Sequence, residues 1–223
     1  MIHNWADGDA IAPIAPETNA LRSEWNLSGK FVLMYSGNMG RAHEFETILG
    51  AAQLLQDRSE IQFLFVGGGH YRDWLETEAR ARKLPNVRFQ AYQPRERLAE
   101  SLGVADVHLI CLRPELEGLI VPSKIYGALA AGRPTLNVGD PSGEIGAMLH
   151  ASRAGFSVTT GDSASLARHI EELQSNQALR AELGKNARQA FEARFDRRFA
   201  LARWTTLLRS ISAPSRAGDF KSP

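Results

Sequence analysis

Cysteine is almost absent from this 223-residue chain: Cys111 stands alone, so no intrachain disulfide can form and a reducing compartment is expected. An excess of one charge is lacking too. The 26 Lys and Arg against 25 Asp and Glu leave a net charge of +1, which gives no general attraction to nucleic acid. The longest apolar runs are strand-sized and the polar HNWADGD follows Met1, so neither a membrane span nor a signal peptide is expected. The six histidines (His3, His43, His70, His108, His150, His169) have no ligand spacing, and no metal site is expected. There is no GxGxxG, GxxxxGK[ST] or GxSxG, which disfavours a dinucleotide oxidoreductase, a P-loop NTPase and a nucleophile-elbow hydrolase.

What is present is alternation of strand and helix. With 43% hydrophobic and 23% charged residues the chain can bury a core as one large domain or two small ones. Near-continuous apolar runs over Phe31 to Ser36, Ile61 to Val66, Val87 to Phe89, Val107 to Leu112, Pro134 to Val138 and Gly155 to Val158 predict about six strands. Between them, periodic stripes such as Phe45, Ile48, Leu49, Ala52 and Leu55 predict helices. Strands that are apolar on both faces, separated by helices, imply a Rossmann-like, doubly wound parallel sheet in the α/β class, helical after Asp162. Residues 1–29 read as a linker-like lead, 30–211 as the domain, and the polar stretch 212–223 as a disordered tail.

The segment EGLIVPSKIYGALAAGRPTL, Glu117 to Leu136, places a loop at the start of a helix that a buried strand follows. Pro122 fits a first helical turn, Ser123 adds a hydroxyl and Lys124 a mobile cation, expected to be exposed without ligand; together these suit a phosphate, the expected guest being a diphosphate. An ordinary capped junction is the alternative reading. The ligand crevice of an open parallel sheet lies beyond the carboxyl ends of its strands, so Gly37 to Gly40, Gly67 to Gly69 and the Lys124 loop should face one another there.

The ordered segments YSGNMGRAHEFETILGAA, FLFVGGG, NVRFQAYQPRERL, ADVHL and GLIVPSKIYGALAAGRP resemble the carboxyl-terminal half of GT-B-fold family 4 glycosyltransferases, near the branch that builds bacterial surface polysaccharides. The resemblance implies a cytoplasmic domain that binds a UDP- or GDP-sugar as substrate, without metal or other cofactor, in a retaining enzyme. It implies the base near Tyr92 and Gln93, the diphosphate at Gly37 to Gly40, with Asn38, and at the amino end of the Lys124 helix, with Ser123, and the sugar near Glu117 to Leu119; Gly37, Gly40, Gly67, Gly68, Gly118, Leu119, Ile120 and Val121 are among the donor-binding residues. Lys124, Arg41 and Glu117 are the candidate catalytic groups, and His43 is a phosphate contact or else a solvent-facing histidine. Asn38 and His43 stand where many members carry Arg and Lys, and Gly127 replaces the second of the family's paired glutamates.

The opening HNWADGDAIAP resembles the linker between the two halves of such enzymes, so an acceptor domain is expected in cis or on another chain, and the isolated chain is expected to turn over little. Asp7-Gly8-Asp9 spells DxD, yet no strand precedes it, and it reads as linker. A non-catalytic nucleotide-sugar-binding module is the alternative. From Gln177 to Arg216 nine basic residues face three acidic ones, a solvated helix face or a contact with the inner membrane surface. The stripe Trp204, Leu207, Leu208, Ile211 should lack part of its cover, which makes a homo-oligomer a further expectation.

Overall fold

The structure, a computed structural model, describes residues 2–212. Six strands, β1 (Phe31–Ser36), β2 (Ile61–Val66), β3 (Val87–Gln90), β4 (Val107–Cys111), β5 (Thr135–Val138) and β6 (Gly155–Val158), form one parallel sheet in the order β3-β2-β1-β4-β5-β6. The α/β class and the doubly wound sheet are as the alternation implies. Side chains alternate between the faces, as the two-residue strand period requires. Phe31, Leu33 and Tyr35 of β1 join one core with Phe63, Phe65, Val107 and Leu109, while Val32, Met34, Leu64, Val66 and Ile110 join the other. Both faces are therefore covered, the condition under which parallel strands can read as continuous apolar runs.

On the first face α2 (Glu46–Leu54), α3 (Arg72–Ala81) and α7 (Ser163–Ser175) contribute Ile48, Leu75, Leu166 and Ile170. On the second, α1 (Ala20–Glu24), α4 (Leu98–Gly103), α5 (Lys124–Ala130), α6 (Glu144–Ser152) and α8 (Gln177–Ala190) contribute Leu21, Leu102, Ile125, Leu149 and Ala187. Asp162 caps α7 by accepting from the Ser165 N–H, and Asn176 caps α8 by accepting from Leu179.

The lead segment packs onto this second core, with Ile11, Leu21 and Leu27 buried and Arg22 paired with Asp106 at 3.1 Å. Its Asp7 carboxylate lies 2.7 Å from Arg197, at the start of α9 (Arg197–Ser212), which gives that acid a structural partner. Along α9, Trp204, Leu207, Leu208 and Ile211 are exposed. Residues 213–223, nearly all of the expected tail, lie outside the described residues.

Candidate active site

The strand order reverses between β1 and β4, and the loops that leave their carboxyl ends diverge there, opening a crevice at the switch point. After β1, Gly37 has φ +129°, a conformation that side chains rarely adopt, and a Cβ there would lie 2.8 Å from the Lys124 side chain. Glycine thus lets the lysine stem cross the loop. After β2, Gly67 has φ +126°, and its Cβ would strike the Gly37 carbonyl at 2.3 Å. The two loops are stapled: Met39 N–H donates to the Gly68 carbonyl at 2.7 Å, Tyr71 N–H to Met39 at 2.9 Å, and the buried Tyr35 hydroxyl to Asn38 at 2.7 Å. The Asn38 side chain lies beside Gly40 and Gly69.

Lys124 arrives from α5 and is half-buried, a correction to the expected exposure. Its Nζ donates to His43 Nε2 at 3.1 Å and stands 5.1 Å from the centroid of the Tyr35 ring, within cation–π range. His43 is buried as well and does not face solvent. Its Nδ1 lies 2.9 Å from the Cys111 carbonyl, which can only accept, so Nδ1 carries the proton and Nε2 offers its lone pair to the lysine. Burial, then the Lys124 charge, lowers the His43 pKa, and burial lowers that of Lys124. The result is a cation held by a neutral acceptor, across the switch point, from a residue 81 positions away.

The structure brings most of the expected residues together. A cavity of about 480 Å³ is lined by Gly37, Tyr92, Gln93, Ser123 and Lys124. The Tyr92 ring lies over Gly67 and Gly68, close enough that a Cβ on Gly67 would meet it at 3.2 Å. Arg41 is exposed. The helix begins at Lys124, so Pro122 and Ser123 precede it, and Ser123 makes no side-chain cap. Gly118 (φ +77°), Leu119 and Ile120 are exposed, and Val121 is partly buried. The Glu117 carboxylate accepts from the Glu144 N–H at 3.1 Å and so sits at the start of α6. Sequence reasoning missed Asn4, Trp5, Ser101, His108 and Gly127, which also line the cavity, and Arg113, which donates to the Tyr71 hydroxyl at 2.6 Å beside the first loop. A second cavity of about 450 Å³, around Arg22, Lys30 and Asp106, lies at the amino ends of the strands, away from the glycine loops that follow β1 and β2.

A family model described as glycosyl transferases group 1 matches residues 17–190. The chain belongs to the group 1 glycosyl transferases. It is 27% identical over 216 residues to WbjE of Pseudomonas aeruginosa, named a probable glycosyltransferase, covering 97% of this chain and 53% of WbjE. It is 30% identical over 145 residues to Escherichia coli (strain K12) WcaI, whose name places it in colanic acid biosynthesis as a glycosyl transferase; 64% of this chain and 35% of WcaI are covered. This group 1 chain thus spans about half the length of WbjE and about a third of that of WcaI. Among solved structures, Anabaena Alr3699/HepE in complex with UDP superposes with a TM-score of 0.80 at 18% identity, over 94% of this chain and 57% of HepE. The fold is that of one Rossmann-like half of GT-B glycosyltransferases, as the motifs imply.

Proposed function

We propose that the crevice binds the nucleoside diphosphate of a nucleotide-sugar donor, and that this chain is the donor half of a retaining glycosyltransferase acting in surface-polysaccharide synthesis. The observation that carries this reading is Lys124, half-buried across Gly37 with its ammonium fixed by neutral His43. A cation already oriented and partly desolvated meets a diphosphate without reorganising, and its field is stronger there than in bulk water. The UDP in HepE and the colanic acid role in the name of WcaI support the substrate class and the pathway.

In this reading the diphosphate lies along Gly37 to Gly40 and Lys124, the nucleoside towards Tyr92 and Gln93, and the sugar towards Glu117 to Val121. As the anomeric C–O bond breaks, its electron pair passes to the oxygen that joined the sugar to the terminal phosphate, an acceptor hydroxyl oxygen bonds to the anomeric carbon on the same face, and its proton passes to the departing diphosphate. Lys124, with loop N–H groups and Arg41, stabilises that growing charge more than the ground state, which is where catalytic advantage arises. Protein donors fill the place that a metal takes in other phosphate sites. The acceptor-binding half comes from outside these residues, in cis or on another chain, and the isolated half turns over little.

Calorimetry with UDP and with UDP-sugars, with and without a chelator, tests this. Binding is expected in both conditions; binding that requires a divalent ion, or none at all, overturns it. Lys124→Ala is expected to weaken UDP binding by about 1–3 kcal/mol, the usual loss for a charge-assisted contact, with the circular dichroism spectrum unchanged.

A further inference from the structure

Between β1 and α2 the chain runs from Gly37 to Phe45 without helix or strand, yet this stretch carries His43, the ring that receives the Lys124 ammonium. A ring on an irregular segment keeps one orientation only where neighbouring groups hold its backbone. The first part of the stretch is held by the bonds of Met39 to Gly68 and Tyr71. The second part is met by Arg113, two residues beyond the end of β4.

The Arg113 backbone N–H donates to the Ala42 carbonyl at 2.9 Å, its Nε donates to the His43 carbonyl at 3.4 Å, and its Nη2 donates to the Tyr71 hydroxyl at 2.6 Å. The guanidinium carbon also lies 5.6 Å from the centroid of the Tyr71 ring, within cation–π range. Tyr71 is itself anchored, by its N–H on the Met39 carbonyl and by edge-on contact of its ring with Phe45. One side chain therefore joins the turn before His43 to the start of α3. The acceptor of the His43 ring, the Cys111 carbonyl, belongs to the same strand end, so His43 is gripped there by both its backbone and its ring.

The partners of Arg113 are a hydroxyl and a carbonyl, which sets it apart from Arg82 and Arg97, whose guanidinium groups pair with glutamates. Nor does Arg113 line the cavity that Lys124 borders. Its contacts serve the loop.

We infer that Arg113 is a positioning residue for Lys124: it clamps residues 41–43 against Tyr71 and so keeps the His43 ring where Nδ1 meets the Cys111 carbonyl and Nε2 meets the ammonium. The planar fork of a guanidinium can reach two acceptors at once, whereas the ammonium of a lysine is a single point charge and cannot replace it. The role rests on the donor-binding reading above, but the state of the His43 ring can be measured without ligand.

Nitrogen-15 NMR of the histidine rings at neutral pH, with His43 assigned by its loss in His43→Gln, reads that state. The wild type should show one protonated and one bare ring nitrogen on His43. In Arg113→Lys and in Tyr71→Phe the two signals should move towards each other as the tautomers mix. Calorimetry with UDP then reads the consequence: Arg113→Lys should bind about fivefold more weakly, with its melting temperature close to that of the wild type. On a Lys124→Ala background the same change should cost less than about twofold, because Arg113 acts through the lysine. An unaltered His43 signature in both variants overturns the inference, as does UDP affinity of Arg113→Lys within about twofold of wild type. A full loss on the Lys124→Ala background also overturns it, since Arg113 then meets the ligand itself. Should Arg113→Lys fail to fold, Tyr71→Phe replaces it in both measurements. A wild type that binds no UDP removes the donor reading, and the ring signals still decide whether Arg113 sets the His43–Lys124 contact.

Discussion

The two sides of the crevice are built differently. On one, the loops Gly37 to Gly40 and Gly67 to Gly69 are locked by backbone hydrogen bonds, by Tyr35 and by the Lys124–His43 contact. On the other, the segment from Glu117 to Val121 is largely exposed, with Leu119 at 77%, and its carboxylate is tied to α6. The locked side suits groups common to every nucleoside diphosphate, which reward a preformed site. The open side suits the variable sugar, and its ordering can accompany donor binding.

The sharpest way to break this contrast uses one glycine from each side. Gly67 and Gly118 both have positive φ, but a Cβ on Gly67 meets a backbone carbonyl and one on Gly118 meets nothing within 4 Å. Gly67→Ala is expected to cost about 3 kcal/mol or more, adding steric overlap to backbone strain. Gly118→Ala is expected to cost about 1 kcal/mol, from strain alone. Urea denaturation measures both, and equal losses would show that the two loops are alike.

Acid should also destabilise the fold through the crevice wall. His108, which lines the crevice with Gly37 and Lys124, is fully buried, with a pKa lowered from 6.5 to about 4 by burial, then by the nearby Arg133 charge. The unfolded chain therefore binds this proton more readily than the folded one. The contribution is present above pH 6.5 and is lost as pH falls towards 4, reaching roughly 3 kcal/mol. His108→Gln keeps a donor for the Leu102 carbonyl and cannot ionise, so its stability should fall less between pH 6.5 and 4. Parallel curves for wild type and variant would show that other groups dominate.

The locked side was also the legible one. Apolar strands ending in glycine announced Gly37 and Gly67, and α5 was visible from its apolar pattern. The contact that matters most was not, because Lys124 and His43 are 81 residues apart and only the sheet order brings them together. Burial of Lys124 followed from the same cause. Two helices escaped notice for local reasons: α1 has five residues, too few to show a period, and α6 begins beside Pro141 and Gly143 and carries Gly146 inside, so it reads as a turn. Gly127 looked like a lost glutamate, and its place in the cavity wall needed the neighbouring α4.

Glu117 separates the roles of the open side. Its carboxylate meets the α6 amino end, where a negative charge is worth about 0.3–1 kcal/mol. Glu117→Gln should therefore lower stability by about 0.5 kcal/mol. It should also weaken binding of a UDP-sugar more than binding of UDP, because only the sugar reaches this loop in the proposed arrangement. Titrating one variant with both ligands checks the second point; equal loss for the two would place Glu117 outside the sugar site.

The smallest effect on stability is expected at Leu119. Its side chain is 77% exposed, so Leu119→Ser removes almost no buried area and should change stability by less than about 0.5 kcal/mol. Hydrogen exchange then reads what stability cannot. The buried Gly67 amide should already be protected in the free chain, where it donates to the Gln90 carbonyl at 2.9 Å. The amides of 118–121, where Leu119 and Ile120 donate to the Leu116 carbonyl at 3.1 Å in an exposed turn, should exchange faster when free, stay so with UDP, and slow when a UDP-sugar saturates the site. Leu119→Ser should reduce that slowing, since the exposed leucine is the apolar group best placed to close over a sugar. Protection of 118–121 equal to that of the Gly67 amide in the free chain would mean that both sides of the crevice are preformed.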